Sequence, residues 1–201
     1  MFEAIYAGAQ VGGARPPWDY GGPRPQLRAW AEARELAGEG RQALVVGCGY
    51  GADAEFLVQR GFRTTAFDFA PTAIAAARQQ HPDSEVDYHV ADVLDLPPDW
   101  RRRFDLVVES LTVQSMPPDQ HAAAAQSISG LVAPGGTLLV LATTREEGSE
   151  ANGPPWPLSR TELDEFAVGD LVLESVERIE HGTWWRAELS NAGTVSEGQS
   201  A

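Results

Sequence analysis

The sequence predicts an α/β fold built on a doubly wound, mostly parallel sheet that finishes in an antiparallel C-terminal hairpin. Three observations predict it. Short apolar runs alternate with helical periods along most of the 201 residues, a pattern that makes a parallel sheet covered on both faces, wound by right-handed crossovers. Several of the apolar runs stop at Gly or Asp, residues suited to the ligand-facing ends of such strands. The last two runs, 171–179 and 183–189, are joined by a few residues around Gly182. A parallel return needs a long crossover, so this link makes a hairpin.

Residues 1–25 are rich in Gly and Pro, with Trp18 and Tyr20 as an aromatic cluster, and show no regular period after Ala14. From Pro25, Leu27, Trp30, Ala33 and Ala37 recur at helical spacing, and Gly38 is a stop. Ala43–Val46 reads as a buried strand ending in glycines, 52–60 as a helix closed by Gly61, and 63–67 as a strand reaching Asp68. Pro71 suits the first turn of an Ala-rich helix over 72–80. A strand over 86–90 stops near Asp92, and another covers 104–109. A helix over 118–131 is closed by a Pro134-Gly135-Gly136 turn, and 137–142 is a strand. Ser159 and Glu162 make an S-x-x-E capping box for a short helix.

Composition narrows the function. The chain carries 29 acids against 15 basic residues, all Arg, for a net charge of −14. That charge repels phosphate polymers and argues against a nucleic-acid partner. The absence of Lys removes Schiff-base chemistry. One cysteine excludes a disulfide framework, and His81, His89, His121 and His181 lack ligand spacing, so no metal is expected. No apolar run reaches the length of a membrane span, and MFEAIYAGAQ lacks the flank and apolar stretch of a signal peptide, so a cytoplasmic location is expected.

The chemistry gathers at the strand tips. Gly47-Cys48-Gly49-Tyr50-Gly51-Ala52 follows the first strand, Asp68 lies 21 residues beyond Gly47, and Asp92 follows the third strand. Glycines let backbone approach a ligand, the first acid can accept from ribose hydroxyls, and the second can meet an adenine edge. Together they describe an adenosine-shaped cleft. The same Gly spacing also fits a nicotinamide dinucleotide fingerprint. That rival lacks a Tyr-x-x-x-Lys pair, since the chain has no Lys. A second rival is a cofactor-binding module without catalysis.

The run ALVVGCGYGADAEFLVQRGFRTTAFDFAPTAIAAAR resembles the first motifs of class I S-adenosylmethionine-dependent methyltransferases. ADVLDLP, FDLVVES and LVAPGGTLLVL resemble three later motifs in the same order, and the match covers roughly residues 16–189. PPWDYGGPRPQL and GPPWPLS are similar to segments of the thiopurine, halide and thiol methyltransferase-like group. The resemblance implies a Rossmann-like seven-stranded sheet with an antiparallel last strand. It divides the chain into a lid segment (1–24), the methyltransferase domain (25–189) and a flexible tail (190–201).

It also implies site residues. Gly47, Cys48, Gly49 and Gly51 would pack against the methionine part of S-adenosylmethionine. Asp68 would bind the ribose, with Phe69 beside the adenine. Asp92 and Val93 would hold the adenine edge, Glu109 would lie beneath the sulfonium, and Trp18 would close over the cofactor. Many class I enzymes carry an acid two residues before the first glycine, where this chain has Val45, a departure shared with the narrower group. The expected acceptor is small and flat, a sulfur, oxygen or nitrogen nucleophile. It would be held among Trp18, Tyr20, the 111–116 loop and Trp156, and oriented by Thr112 and Gln114. Where a proton must leave, His121 and Glu109 are the candidate bases.

Overall fold

A computed structural model describes residues 2–10, 13, 14, 16 and 18–193. Seven strands form one sheet: β1 (Gln42–Val46), β2 (Arg63–Asp68), β3 (Asp87–Val90), β4 (Phe104–Ser110), β5 (Val132–Thr143), β6 (Leu171–Ile179) and β7 (Trp184–Asn191). Six helices accompany them: α1 (Phe2–Gln10), α2 (Pro25–Ala33), α3 (Ala52–Gln59), α4 (Pro71–Gln80), α5 (Pro118–Ser129) and α6 (Arg160–Asp164). The strand order is β3-β2-β1-β4-β5-β7-β6. β7 runs antiparallel to both β5 and β6. The fold class and the terminal hairpin are therefore those predicted.

The central strands are apolar because both of their faces are covered. Ala43–Val46 and Leu138–Ala142 are fully or almost fully buried. One core layer joins Leu27, Trp30, Phe56, Leu57 and Ile74 to one face of the sheet. The other joins Phe104, Ile128, Leu131, Phe166 and Trp185 to the opposite face. Of the adjacent tryptophans in β7, Trp185 enters the core and donates Nε1–H to the Leu158 carbonyl at 2.8 Å, while Trp184 is half-buried.

Three differences from the sequence reading matter. Residues 2–10 form a helix, α1, whose Tyr6 is buried. Pro134-Gly135-Gly136 lies inside β5, not ahead of it. The ladder to β4 shifts register there, between Phe104 and Leu106, and a Cβ on Gly136 would stand 2.9 Å from the Phe104 carbonyl oxygen. The turn chemistry is real, but neighbouring strands absorb it as a bulge. β7 also continues two residues past Leu189. Asn191 is buried and donates Nδ2–H to the Val132 carbonyl at 2.9 Å. The rest of the expected tail, 194–201, lies outside the described residues.

The sheet order reverses between β1 and β4, which opens the crevice where ligands bind in such folds. Register brings the chemistry to its rim: Val46 pairs with both Phe67 and Glu109, and Asp68 pairs with Val90.

Candidate functional site

The loop after β1 is forced to be glycine. Gly47 has φ +60°, and a Cβ there would stand 2.2 Å from Thr112 Oγ1. Gly51 has φ +87°, and a Cβ would stand 2.0 Å from the Tyr88 hydroxyl oxygen. Both positions combine a left-handed backbone with a contact that no side chain fits. Gly51 also caps α3, so the positive end of that helix faces the loop. Cys48 donates its N–H to the Phe67 carbonyl at 2.9 Å. Burial, with Asp68 nearby, pushes its thiol well above the usual range, which makes it an inert packing group.

Asp68 fastens this loop to β2. One carboxylate oxygen accepts the Gly49 N–H and the other the Ala70 N–H, each at 2.9 Å. Burial raises its pKa, and those two N–H groups counter the rise. Beside it, Phe69 is 67% exposed. Val90, at the end of β3, and Leu94, in the loop beyond, are also exposed. Together they leave an exposed apolar ledge at adjoining strand ends. Asp92 pins the loop by accepting the Leu94 N–H at 2.9 Å, and Val93 is buried behind it.

Glu109 sits on β4 next to Val46, with no solvent exposure. Its Oε1 accepts the N–H groups of Thr112 (2.7 Å) and Val113 (3.0 Å), while its Oε2 is buried without a partner among the described residues. Burial pushes this carboxyl up to about 7, against the pull of the two N–H groups and His121. A buried carboxyl with one open oxygen and a near-neutral pKa is a functional feature more than a structural one.

His121 has no such freedom. Its Nδ1 lies 2.7 Å from Glu162 Oε1, and its Nε2 lies 2.9 Å from the Met116 carbonyl oxygen. Glu162 completes the predicted capping box with Ser159 and also pairs with Arg145. Burial raises the Glu162 pKa, but bonds from His121 and Ser159, with the Arg145 charge, outweigh it and hold it at about 2.

The two residues expected to orient an acceptor are engaged with the protein itself. Thr112 Oγ1 donates to the Val46 carbonyl at 3.0 Å. The buried Gln114 accepts the Thr143 N–H on Oε1 at 2.7 Å, and its carbonyl accepts the Trp156 N–H at 2.6 Å. These bonds satisfy strand ends that the 111–116 loop would otherwise bury unpaired.

Above the glycine loop lies an aromatic cluster that the sequence reading did not assemble. Trp18 donates Nε1–H to the Tyr6 hydroxyl at 2.9 Å, and Tyr6 packs edge-on against Trp18 and Tyr50. The Tyr6 hydroxyl approaches Gly49 so closely that a Cβ there would stand 3.0 Å away. Trp18 thus reaches the loop through Tyr6. Tyr20 is instead 62% exposed, with the Arg24 guanidinium 5.1 Å from its ring centre. No ring contact joins Trp18, Tyr20 and Trp156 among the described residues. Cavities of ≈ 420 and ≈ 210 Å³ flank Tyr50 on the outer side of the N-terminal segment. Neither includes Asp68, Phe69 or Glu109, so the chemistry, not the larger hollow, locates the site. Among the described residues no group of three or more His, Cys, Asp or Glu is placed to hold a metal.

A left-handed glycine loop at a helix N-terminus, an acid at the next strand tip, the exposed Phe69 and a buried acid stand together at the carboxyl ends of the sheet, where α/β enzymes bind their ligands. Comparison with known proteins makes the class specific. Residues 43–136 match the family described as "methyltransferase domain". The 2-heptyl-1-hydroxyquinolin-4(1H)-one methyltransferase of Mycobacteroides abscessus is 32% identical over 171 residues, 83% of this chain and 74% of that protein. The probable thiol methyltransferase 2 of Arabidopsis thaliana is 28% identical over 169 residues, 82% of this chain and 72% of that one. A structure from work on conversion of a disulfide bond into a thioacetal group during echinomycin biosynthesis superposes with a TM-score of 0.77 at 25% identity, covering 97% of this chain and 92% of that one. The N-methyltransferase NodS of Bradyrhizobium japonicum WM9, solved with S-adenosylhomocysteine, shares the fold with a TM-score of 0.71 at 19% identity, covering 95% and 100%.

The chain belongs to the S-adenosylmethionine-dependent small-molecule methyltransferases. The nicotinamide and non-catalytic readings are not favoured.

Proposed function

We propose that this enzyme methylates a small aromatic or heterocyclic acceptor at a sulfur, oxygen or nitrogen nucleophile. The observation that carries the reading is Glu109: an unpartnered, fully buried carboxyl oxygen where β1 and β4 meet the glycine loop. The site fits S-adenosylmethionine on its own terms, since a cationic group beside that oxygen would remove the cost of leaving it unsatisfied. Gly47, Cys48, Gly49 and Gly51 would hold the methionine part, Asp68 the ribose, Phe69 the adenine face, and Asp92 with Val93 the adenine edge. Trp18 would cover the loop. A relative named for a hydroxyquinolinone substrate supports a flat heterocyclic acceptor. The net charge of −14 argues against a nucleic acid and suits a cytoplasmic small-molecule enzyme.

The cofactor, when bound, supplies an electrophilic methyl group on a good leaving group. The chain's task is then alignment, worth roughly 7–11 kcal/mol in favourable systems. Glu109 takes the acceptor's proton on Oε2; its carboxyl, pushed up to about 7 by burial in the unliganded protein, is drawn toward its ionised, proton-accepting form by the cationic donor. His121 acts through Met116 to hold the 111–116 loop in place. Trp156, tied by its backbone to Gln114, borders the acceptor. Release of S-adenosylhomocysteine across a panel of thiols, phenols, heterocycles and halides tests the reading. Turnover on an aromatic thiol, phenol or heterocycle is expected. Tight cofactor binding with no turnover on any of them would overturn it.

A further inference from the structure

Arg24 is 9% exposed, and its Nε is buried without a partner among the described residues. Its guanidinium lies between two rings, 5.1 Å from the Tyr20 centre and 5.6 Å from that of Trp184. Its one side-chain hydrogen bond here is long: Nη2 donates to the Trp18 carbonyl at 3.4 Å. Arg34, Arg102, Arg145, Arg160, Arg178 and Arg186 each pair with a carboxylate, yet none stands within ion-pair reach of Arg24 among the described residues. A guanidinium has five donors in a planar fork matched to a carboxylate. The Asp53 carboxylate feels the Arg24 charge but makes no ion pair with the guanidinium among the described residues, so most of the fork's donors are left for an anion.

Its position indicates which anion. The Arg24 backbone N–H donates to Asp53 Oδ1 at 2.6 Å, and Asp53 lies in the first turn of α3, directly after the glycine loop. Trp18, whose carbonyl Arg24 touches, covers that loop through Tyr6. The Arg24 backbone therefore stands where the glycine loop becomes a helix, and its side-chain charge is felt by the Asp53 carboxylate there.

We propose that Arg24 anchors the α-carboxylate of the methyl donor. This rests on the reading of the cleft given above and adds the one charged contact that reading lacks. The rings of Tyr20 and Trp184 flank the guanidinium, and the residue is 9% exposed, so its position is set before a ligand arrives.

Calorimetry with two probes tests the proposal. S-adenosylhomocysteine carries the carboxylate, whereas 5′-methylthioadenosine has the same nucleoside without it. R24Q is expected to weaken the first by roughly 10- to 100-fold, the scale of a lost charge-assisted bond, and the second by less than about twofold. R24K, which keeps the charge, should recover part of the loss. An equal fall for both ligands would make Arg24 structural. Unchanged affinity for both would assign it to an anionic acceptor. Either result overturns the proposal. If wild-type protein bound neither probe, the cleft reading would fall with it. A crystal structure of the wild type with S-adenosylhomocysteine decides without any variant: guanidinium within hydrogen-bond reach of the carboxylate supports the proposal, and a carboxylate held elsewhere refutes it.

Discussion

Replacing Glu109 by Gln separates the charge of this residue from its shape. Gln keeps an acceptor oxygen for the Thr112 and Val113 N–H groups but cannot ionise. In the wild type the carboxyl rises from an ordinary 4.5 to about 7 on folding. Folding therefore favours its protonated form. Stability is greatest below about 4.5, falls as pH rises toward 7, and is level above that. At about 1.4 kcal/mol per tenfold, the full difference is about 3 kcal/mol. E109Q lacks this loss. Urea unfolding of both proteins between pH 5 and 8 should show the stability gap moving in favour of E109Q by about 2 kcal/mol. Asp53 and Asp68 also have raised pKa values, but both proteins keep them, so their contributions cancel. A gap constant to within about 0.5 kcal/mol across that range would refute the assignment of a near-neutral Glu109. The same variant should lose at least about 100-fold in kcat on a phenol and far less on an acceptor already ionised.

Three further outcomes follow from the site. F69S should leave stability within about 0.5 kcal/mol, since the ring is exposed, yet weaken S-adenosylhomocysteine about 5- to 10-fold by calorimetry; unchanged affinity would remove Phe69 from the cofactor site. H121A should cost about 1–2 kcal/mol in urea unfolding at pH 7 by leaving the Met116 carbonyl unpaired and removing one of the partners of Glu162. Glu162, held at about 2, contributes stability above 4.5 that is lost as pH falls toward 2. That acid limb should be shallower in H121A, and an unchanged limb would mean that the His121 bond does not hold the carboxylate down. W156A should raise KM for the acceptor about tenfold, and unchanged KM and kcat would exclude Trp156 from the site.

The parts legible in the sequence are those with a strong period or a rigid local rule. Ala43–Val46 and Leu138–Ala142 announce buried parallel strands through continuous apolar content, and Ser159 with Glu162 announces a helix start. α1 escaped because Ala4, Ala7, Gly8 and Ala9 dilute its face, leaving Phe2 and Tyr6, spaced four apart, as its signal. Pro134-Gly135-Gly136 misled because a turn propensity is local, whereas pairing with Phe104 and Asn191 is not. Thr112 and Gln114 have suitable donors and acceptors, but sequence does not show that Val46 and Thr143 already use them. Arg24 was invisible as a site for a related reason. Its proposed role rests on a guanidinium that makes no ion pair among the described residues, and the hint available was an arginine directly ahead of the helix-initiating Pro25.

The N-terminal elements lean on the last strands of the sheet. Gln26 donates to Glu180 and Arg34 pairs with Glu188, each across 154 residues of chain, and Arg24 rests on Trp184. The ribosome makes α2 early, and its apolar face can dock on β1, α3 and β4, yet the part of its docking surface that carries Glu180, Trp184 and Glu188 exists only after β6 and β7 have emerged and paired. Such long-range closure is slow. The cover of the glycine loop, Trp18 with Tyr6 and Tyr50, is made early, whereas the corner that holds the Arg24 guanidinium against Trp184 is among the last parts of the molecule to be completed.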